Sequence, residues 1–188
     1  MRFRRPALPQ RRPVFFGCEG ESEFGYGALI RRLLEEQRRD LHLDVILLRP
    51  GGGDPLALVE LACQKIARTE RSRDIRYSIR AVLLDSDKLG GNQQRDQNMF
   101  RLAQSQDLRL IWQQPSYEAL LLRHLDGCQA LRPQTPATAL TELLRHWPDY
   151  TKGISAAQLL RRIGAKQIAA AASVEPSLRE FLRDIGFL

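Results

Sequence analysis

Hydrophobic positions along this chain follow two patterns, short unbroken runs and longer segments with an apolar residue every third or fourth place. Val14-Phe15-Phe16-Gly17-Cys18 is such a run and predicts a strand buried on both faces. It stops at Glu19-Gly20-Glu21-Ser22-Glu23, where Ser22 is the expected N-cap of a helix. In that helix Tyr26, Leu29, Ile30, Leu33 and Leu34 share one face, while Arg31, Arg32, Glu35 and Glu36 take the other. The cycle then repeats. A strand over 45–48 runs into Arg49-Pro50-Gly51-Gly52-Gly53-Asp54-Pro55 and a helix over 55–69. A strand over 79–84 ends in Asp85-Ser86-Asp87, before a helix near 96–106. A fourth strand over 108–112 precedes a helix that Pro115 opens and that extends to about His124.

Four strand–helix alternations predict an α/β fold, a mainly parallel sheet with helices on both faces. After Gly127 the pattern changes. A connection over 133–138, rich in proline and threonine, leads only to helical segments, at 139–146, 155–163, 165–172 and 176–185. The expected organisation is an N-terminal arm (1–13), an α/β domain (14–127) and a C-terminal helical cap (128–188).

Composition narrows the classes. Of 188 residues, 43% are hydrophobic and 27% charged, enough to build a core. No apolar stretch is long enough for a membrane span, and the basic N-terminus lacks the apolar middle of a secretion signal, so a cytoplasmic protein without membrane contact is expected. Cys18, Cys63 and Cys128 are far apart and form neither a disulfide framework nor a zinc ribbon; they read as small buried hydrophobes. The net charge is +7, and lysine stands only at 65, 88, 152 and 166, so 25 of the 29 basic residues are arginine. Five of these, Arg2, Arg4, Arg5, Arg11 and Arg12, lie in the first thirteen residues without an acid among them. Such an arm either neutralises nucleic-acid phosphates or is a solvated tail.

Acids collect where chemistry would sit. In open α/β sheets, ligands bind beyond the carboxyl ends of the strands. The first strand ends at Glu19, with Glu21 and Glu23 behind it; the third ends at Asp85 and Asp87; Glu118 opens the helix after the fourth. If the chain stays extended, Asp85 and Asp87 point to the same side. Glu118 shares a helical face with Leu121, Leu122 and Leu125, which turns it inward, where a carboxylate is costly unless paired or metal-bound. Converging carboxylates repel one another, and a hard divalent cation such as Mg²⁺ or Mn²⁺ relieves the repulsion. Taken singly, the same acids also read as helix caps and loop residues.

Other chemistries fit less well. The glycines match neither the dinucleotide fingerprint nor a phosphate-binding GK[ST] loop, and no Ser or Cys sits in a nucleophile elbow. His42 reads as a surface residue and His146 as helix packing, while His124 follows Tyr117, Leu120 and Leu121 on an apolar face.

The Glu19-Gly20-Glu21-Ser22-Glu23 strand end and the later Asp85-Ser86-Asp87 together resemble the Toprim arrangement, the metal-binding α/β domain of topoisomerases, primases and OLD-family nucleases. More closely, the chain from Val14 to Ala172 resembles the RloB family. That resemblance rests on Cys18-Glu19-Gly20-Glu21, Gly51-Gly52-Gly53-Asp54-Pro55, the Asp85/Asp87 pair, Pro115-Ser116-Tyr117-Glu118 with Leu121-Leu122-Arg123-His124, and Tyr150-Thr151-Lys152-Gly153. Ser22-Glu23 stands here where that family usually has Thr-Glu, and no tryptophan follows Glu118.

The resemblance implies a Toprim-like fold, a role in phage defence of the abortive-infection type, and an ATPase partner. It makes Glu19, Glu23, Asp85 and Asp87 the metal ligands, and aligns Glu118, His124 and Lys152 with recurring polar positions. The expected function is then a divalent-metal-dependent phosphodiesterase, a nuclease. Lys152 would contact phosphate or steady the transition state, and the arginine arm would hold the nucleic-acid backbone. The alternatives are a non-catalytic Toprim-like accessory subunit that binds nucleic acid or a partner, and a hydrolase of small nucleotides. Oligomeric state is open, with a homodimer the commonest form.

Overall fold

The computed structural model describes residues 11–37, 40–49 and 53–188. Four strands, β1 (Arg12–Cys18), β2 (Leu41–Leu47), β3 (Ile79–Asp85) and β4 (Arg109–Gln113), alternate with α1 (Glu21–Gln37), α2 (Pro55–Arg73), α3 (Gln93–Ser105) and α4 (Tyr117–His124). The sheet order is β2-β1-β3-β4, and every pair is parallel. The expected α/β architecture is therefore present, and it is consistent with a Toprim-like fold.

Side-chain alternation along the central strand explains the two layers of helices. Phe16 and Cys18 of β1 point into a core with Tyr26, Leu29, Ile30 and Leu34 of α1, whereas Phe15 joins Leu58, Val59 and Ala62 of α2 and Met99 of α3 on the opposite face. In β3, Ala81 and Leu83 face the α1 side, and Val82 and Leu84 the α2 side. Continuing the alternation carries Asp85, the last strand residue, to the side of α1 and α4. The chain passes from β1 outward to β2, then crosses to β3 on the other flank of β1. This reversal between β1 and β3 is the topological switch point at which open α/β sheets bind ligands.

Four further helices follow: α5 (Pro136–His146), α6 (Ala156–Leu159), α7 (Ala165–Val174) and α8 (Pro176–Asp184). They are a covering layer built into the main core. Leu143, Trp147, Ile168, Leu178 and Phe181 belong to the same buried cluster as β1, α1 and α4. Phe181 packs on Phe16 with ring centroids 5.2 Å apart, and Ser177 Oγ accepts the Trp112 amide at 3.0 Å. Wedged between sheet and cover, α4 is buried along its whole length.

Local expectations differ from the structure in several places. Strand β2 begins at Leu41, since pairing to β1 from Arg12 onward recruits residues whose own pattern is too mixed to predict a strand. Thr135 caps α5 through a reciprocal capping box, which starts that helix three residues earlier than its apolar pattern suggests. The segment expected as a helix over 155–163 is helical only at Ala156–Leu159. Ser22 is not the N-cap of α1: the helix already begins at Glu21, and the Ser22 hydroxyl accepts the Gly153 amide at 2.8 Å. Among the described residues no helix is long and apolar enough to cross a membrane. Cys18 and Cys128 are buried and Cys63 partly so, all three as free thiols.

Candidate functional site

The switch point opens into a cleft of about 560 Å³ that gathers residues from five separate parts of the chain. Glu19, Glu21 and Glu23 come from the β1–α1 junction, Asp85 and Asp87 from the end of β3, Glu118 from the first turn of α4, and Lys152 from the loop before α6. Gly53, Lys88 and Tyr117 complete the polar lining, with Leu58 and Leu84 as an apolar wall. Six carboxylates thus share one cleft with two lysines.

Each piece is fixed by local structure. Glu21 and Glu23 sit in the first turn of α1, where the helix dipole favours negative charge. Glu118 is 7% exposed and is held at both oxygens, accepting from Ser116 Oγ at 2.9 Å and lying 3.4 Å from Lys152 Nζ. Lys152 can reach it because Gly25 lets the 152–154 loop lie directly on α1; a Cβ at Gly25 would stand 2.3 Å from the Ile154 carbonyl oxygen. Asp85 and Asp87 do not form an extended pair. The strand ends at Asp85, and a turn follows in which the Ser86 amide donates to the Gln113 and Pro115 carbonyls at 3.0 and 3.2 Å. Asp87 reaches the cleft from this turn, more exposed than Asp85.

The carboxylates act on one another electrically. Burial first, then the charges of Glu23, Asp87, Glu19 and Glu118, push the Asp85 carboxyl up to about 8. Glu23 is raised as well, by burial and then by Glu19 and Glu118, against two backbone N–H groups that favour its charge. Asp85 Oδ1 is buried and has no hydrogen-bond partner. An acceptor oxygen so placed, among ligands that are all carboxylates, suits a hard, oxygen-seeking divalent cation. Among the described residues, however, no three His, Cys, Asp or Glu side chains stand close enough as they lie to hold a metal ion. The acids converge on a cleft without forming a closed ligand set.

The remaining sequence candidates lie at the rim of the cleft or outside it. Glu21 is at the exposed rim, ion-paired with Arg49. His124 lies outside the cleft, 0% exposed in the core. Its Nδ1–H donates to the Leu120 carbonyl at 2.8 Å, which leaves Nε2 to accept the Tyr26 hydroxyl at 2.9 Å. Burial lowers its basicity to about 4, so the ring is neutral. His146, expected to pack, is exposed, whereas His42 is on the surface beside Glu35 at 3.9 Å. Arg11 and Arg12 stand at the amino end of β1, about 20 Å of strand away from Glu19, and pair with Glu35 and Asp40 at 3.9 and 3.4 Å. Arg2, Arg4 and Arg5 lie outside the described residues.

Sequence reasoning passed over Lys88 and Tyr117. Lys88 had a signal, a cation directly after the acid pair. Its Nζ lies over Gly53, where an added Cβ would stand 1.8 Å from it; Gly53 also takes φ +63°, which favours glycine. Tyr117 reads only as an apolar helix residue.

No protein-family model matches this chain, and no curated protein or solved structure does.

Proposed function

We propose that this protein is a divalent-cation-dependent phosphodiesterase with a Toprim-like site, acting as a nuclease. One observation carries the reading: acids from β1, β3 and α4 meet in a cleft at the switch point, around a buried Asp85 oxygen that lacks a partner. Glu19, Glu23, Asp85 and Asp87 would hold the cation. When bound, Mg²⁺ or Mn²⁺ supplies Lewis acidity toward a phosphoryl oxygen and a bound water of lowered pKa.

The chain's own residues do the rest. Lys88 and Lys152 line the cleft and would meet the non-bridging oxygens of a phosphodiester as point charges. Glu118 holds Lys152 at the rim until substrate competes for it. The apolar wall of Leu58 and Leu84 limits water on one side. A nucleic acid engaged by the arginine arm would have to span from the amino edge of β1 to the opposite, acidic edge. The extension to phage defence and to an ATPase partner rests on the RloB resemblance of the quoted motifs.

The test is cleavage of supercoiled plasmid, linear duplex, single-stranded DNA and RNA, each with Mg²⁺, Mn²⁺ or EDTA, by wild type and Asp85→Ala. Cutting that needs the metal and is lost in Asp85→Ala is the expected result. Salt-sensitive binding without cutting, unchanged by the substitution, would instead support the accessory-subunit reading. Preference for a mononucleotide over every polymer would redirect the same site to small nucleotides.

A further inference from the structure

Two buried polar atoms of the cleft residues lack hydrogen-bond partners, and they are complementary. One is the acceptor Asp85 Oδ1; the other is the hydroxyl of Tyr117. Tyr117 is 2% exposed and is fixed as the first residue of α4. Its ring stands edge-on to Tyr26 at 6.3 Å, but the Tyr26 hydroxyl is already committed to His124. Tyr117 and Glu23 line the same cleft, and burial pushes the Tyr117 hydroxyl well above its ordinary range, the charges of Tyr150 and then Glu23 adding to the effect. A phenol placed only for packing would be better replaced by phenylalanine, since an unpartnered buried O–H destabilises the fold. A donor lining a cleft of carboxylates has a use when one of them must be held in one orientation, as ligands around metal ions commonly are.

We infer that Tyr117 is a positioning residue for Glu23, its O–H donating to the Glu23 carboxylate when that carboxylate turns toward a divalent cation shared with Asp85. The inference rests on the metal-site reading above. The hydroxyl is neutral, so it steadies a ligand without adding a charge that would compete with the cation.

The experiment is calorimetric titration of the full chain with Mn²⁺ alone, with thermal melting in EDTA alongside. The proteins are wild type, Tyr117→Phe, Asp85→Ala, Glu23→Ala and the Glu23→Ala/Tyr117→Phe double variant. Tyr117→Phe is expected to melt at the wild-type temperature or above it, and to bind Mn²⁺ about tenfold more weakly. On the Glu23→Ala background, which has no acceptor for the Tyr117 hydroxyl, the same substitution is expected to change Mn²⁺ affinity no further. Wild-type Mn²⁺ affinity in Tyr117→Phe, or an equal loss on both backgrounds, would overturn the positioning role and leave the metal site standing. Absence of Mn²⁺ binding by wild type, with Asp85→Ala indistinguishable from it, would overturn the metal reading and this inference together.

Discussion

Asp85, with one carboxylate oxygen buried, and His124, wholly buried, are both titratable groups, yet burial drives them in ways that separate a site from a core. Asp85 binds a proton in the folded protein up to about pH 8 that the unfolded chain releases near its ordinary value of 3.8. Its contribution to stability is thus complete at acid pH and is lost as pH rises toward 8. His124 is the reverse: protonated below its ordinary 6.5 when unfolded and only below about 4 when folded, it withdraws stability as pH falls through that interval. The two slopes oppose each other between pH 4 and 6.5, so the clean window is pH 6.5 to 8. In EDTA the melting temperature of wild type should fall across that window, and Asp85→Asn should flatten the fall. Mn²⁺ should raise the melting temperature of wild type more at pH 8 than at pH 6.5, because it binds the ionised carboxylate. For His124 the expectation is purely structural. His124→Ala strips partners from Tyr26 and Leu120 and opens a cavity, costing about 2–4 kcal/mol in urea denaturation.

At the level of elements, the site depends on how closely α1 and the loop before α6 approach. Gly25→Ala inserts a methyl group 2.3 Å from the Ile154 carbonyl oxygen, a backbone atom that cannot step aside alone. We expect about 1–3 kcal/mol of destabilisation, measured by chemical denaturation, together with displacement of Lys152 from Glu118. The buried pair Arg123–Glu175, at 2.9 Å with side chains 2% and 6% exposed, ties α4 to the N-terminus of α8. Glu175→Gln leaves a buried guanidinium without its counter-charge and should cost about 3–5 kcal/mol in the same measurement. These elements were largely legible in the sequence. Apolar runs gave all four strands, and the three-to-four-residue period gave the helices. Where the reading slipped, at Leu41, Thr135 and Ser22, the deciding interaction lay with a distant partner or in a side-chain cap that hydrophobic periodicity does not carry.

For the whole molecule, the C-terminal helices and the sheet share one core, so the chain should unfold as a unit. A fragment ending at Gly127 would expose Phe16 and the buried length of α4 to water; it should show no cooperative melt by circular dichroism and be digested rapidly by protease. Sequence by itself determined the α/β class and the acids at the strand ends. Both follow from order along the chain: a strand-to-helix junction stays at the same edge of a parallel sheet however the rest packs, so chain order alone assigns Glu19, Glu23, Asp85 and Glu118 to that edge. Only the tertiary structure decided how Lys152 reaches Glu118, why the Asp85 oxygen is buried without a partner, and that His124 is core. Those outcomes depend on crossover direction and on the dielectric and charges around a side chain, which packing creates and a one-dimensional pattern does not contain.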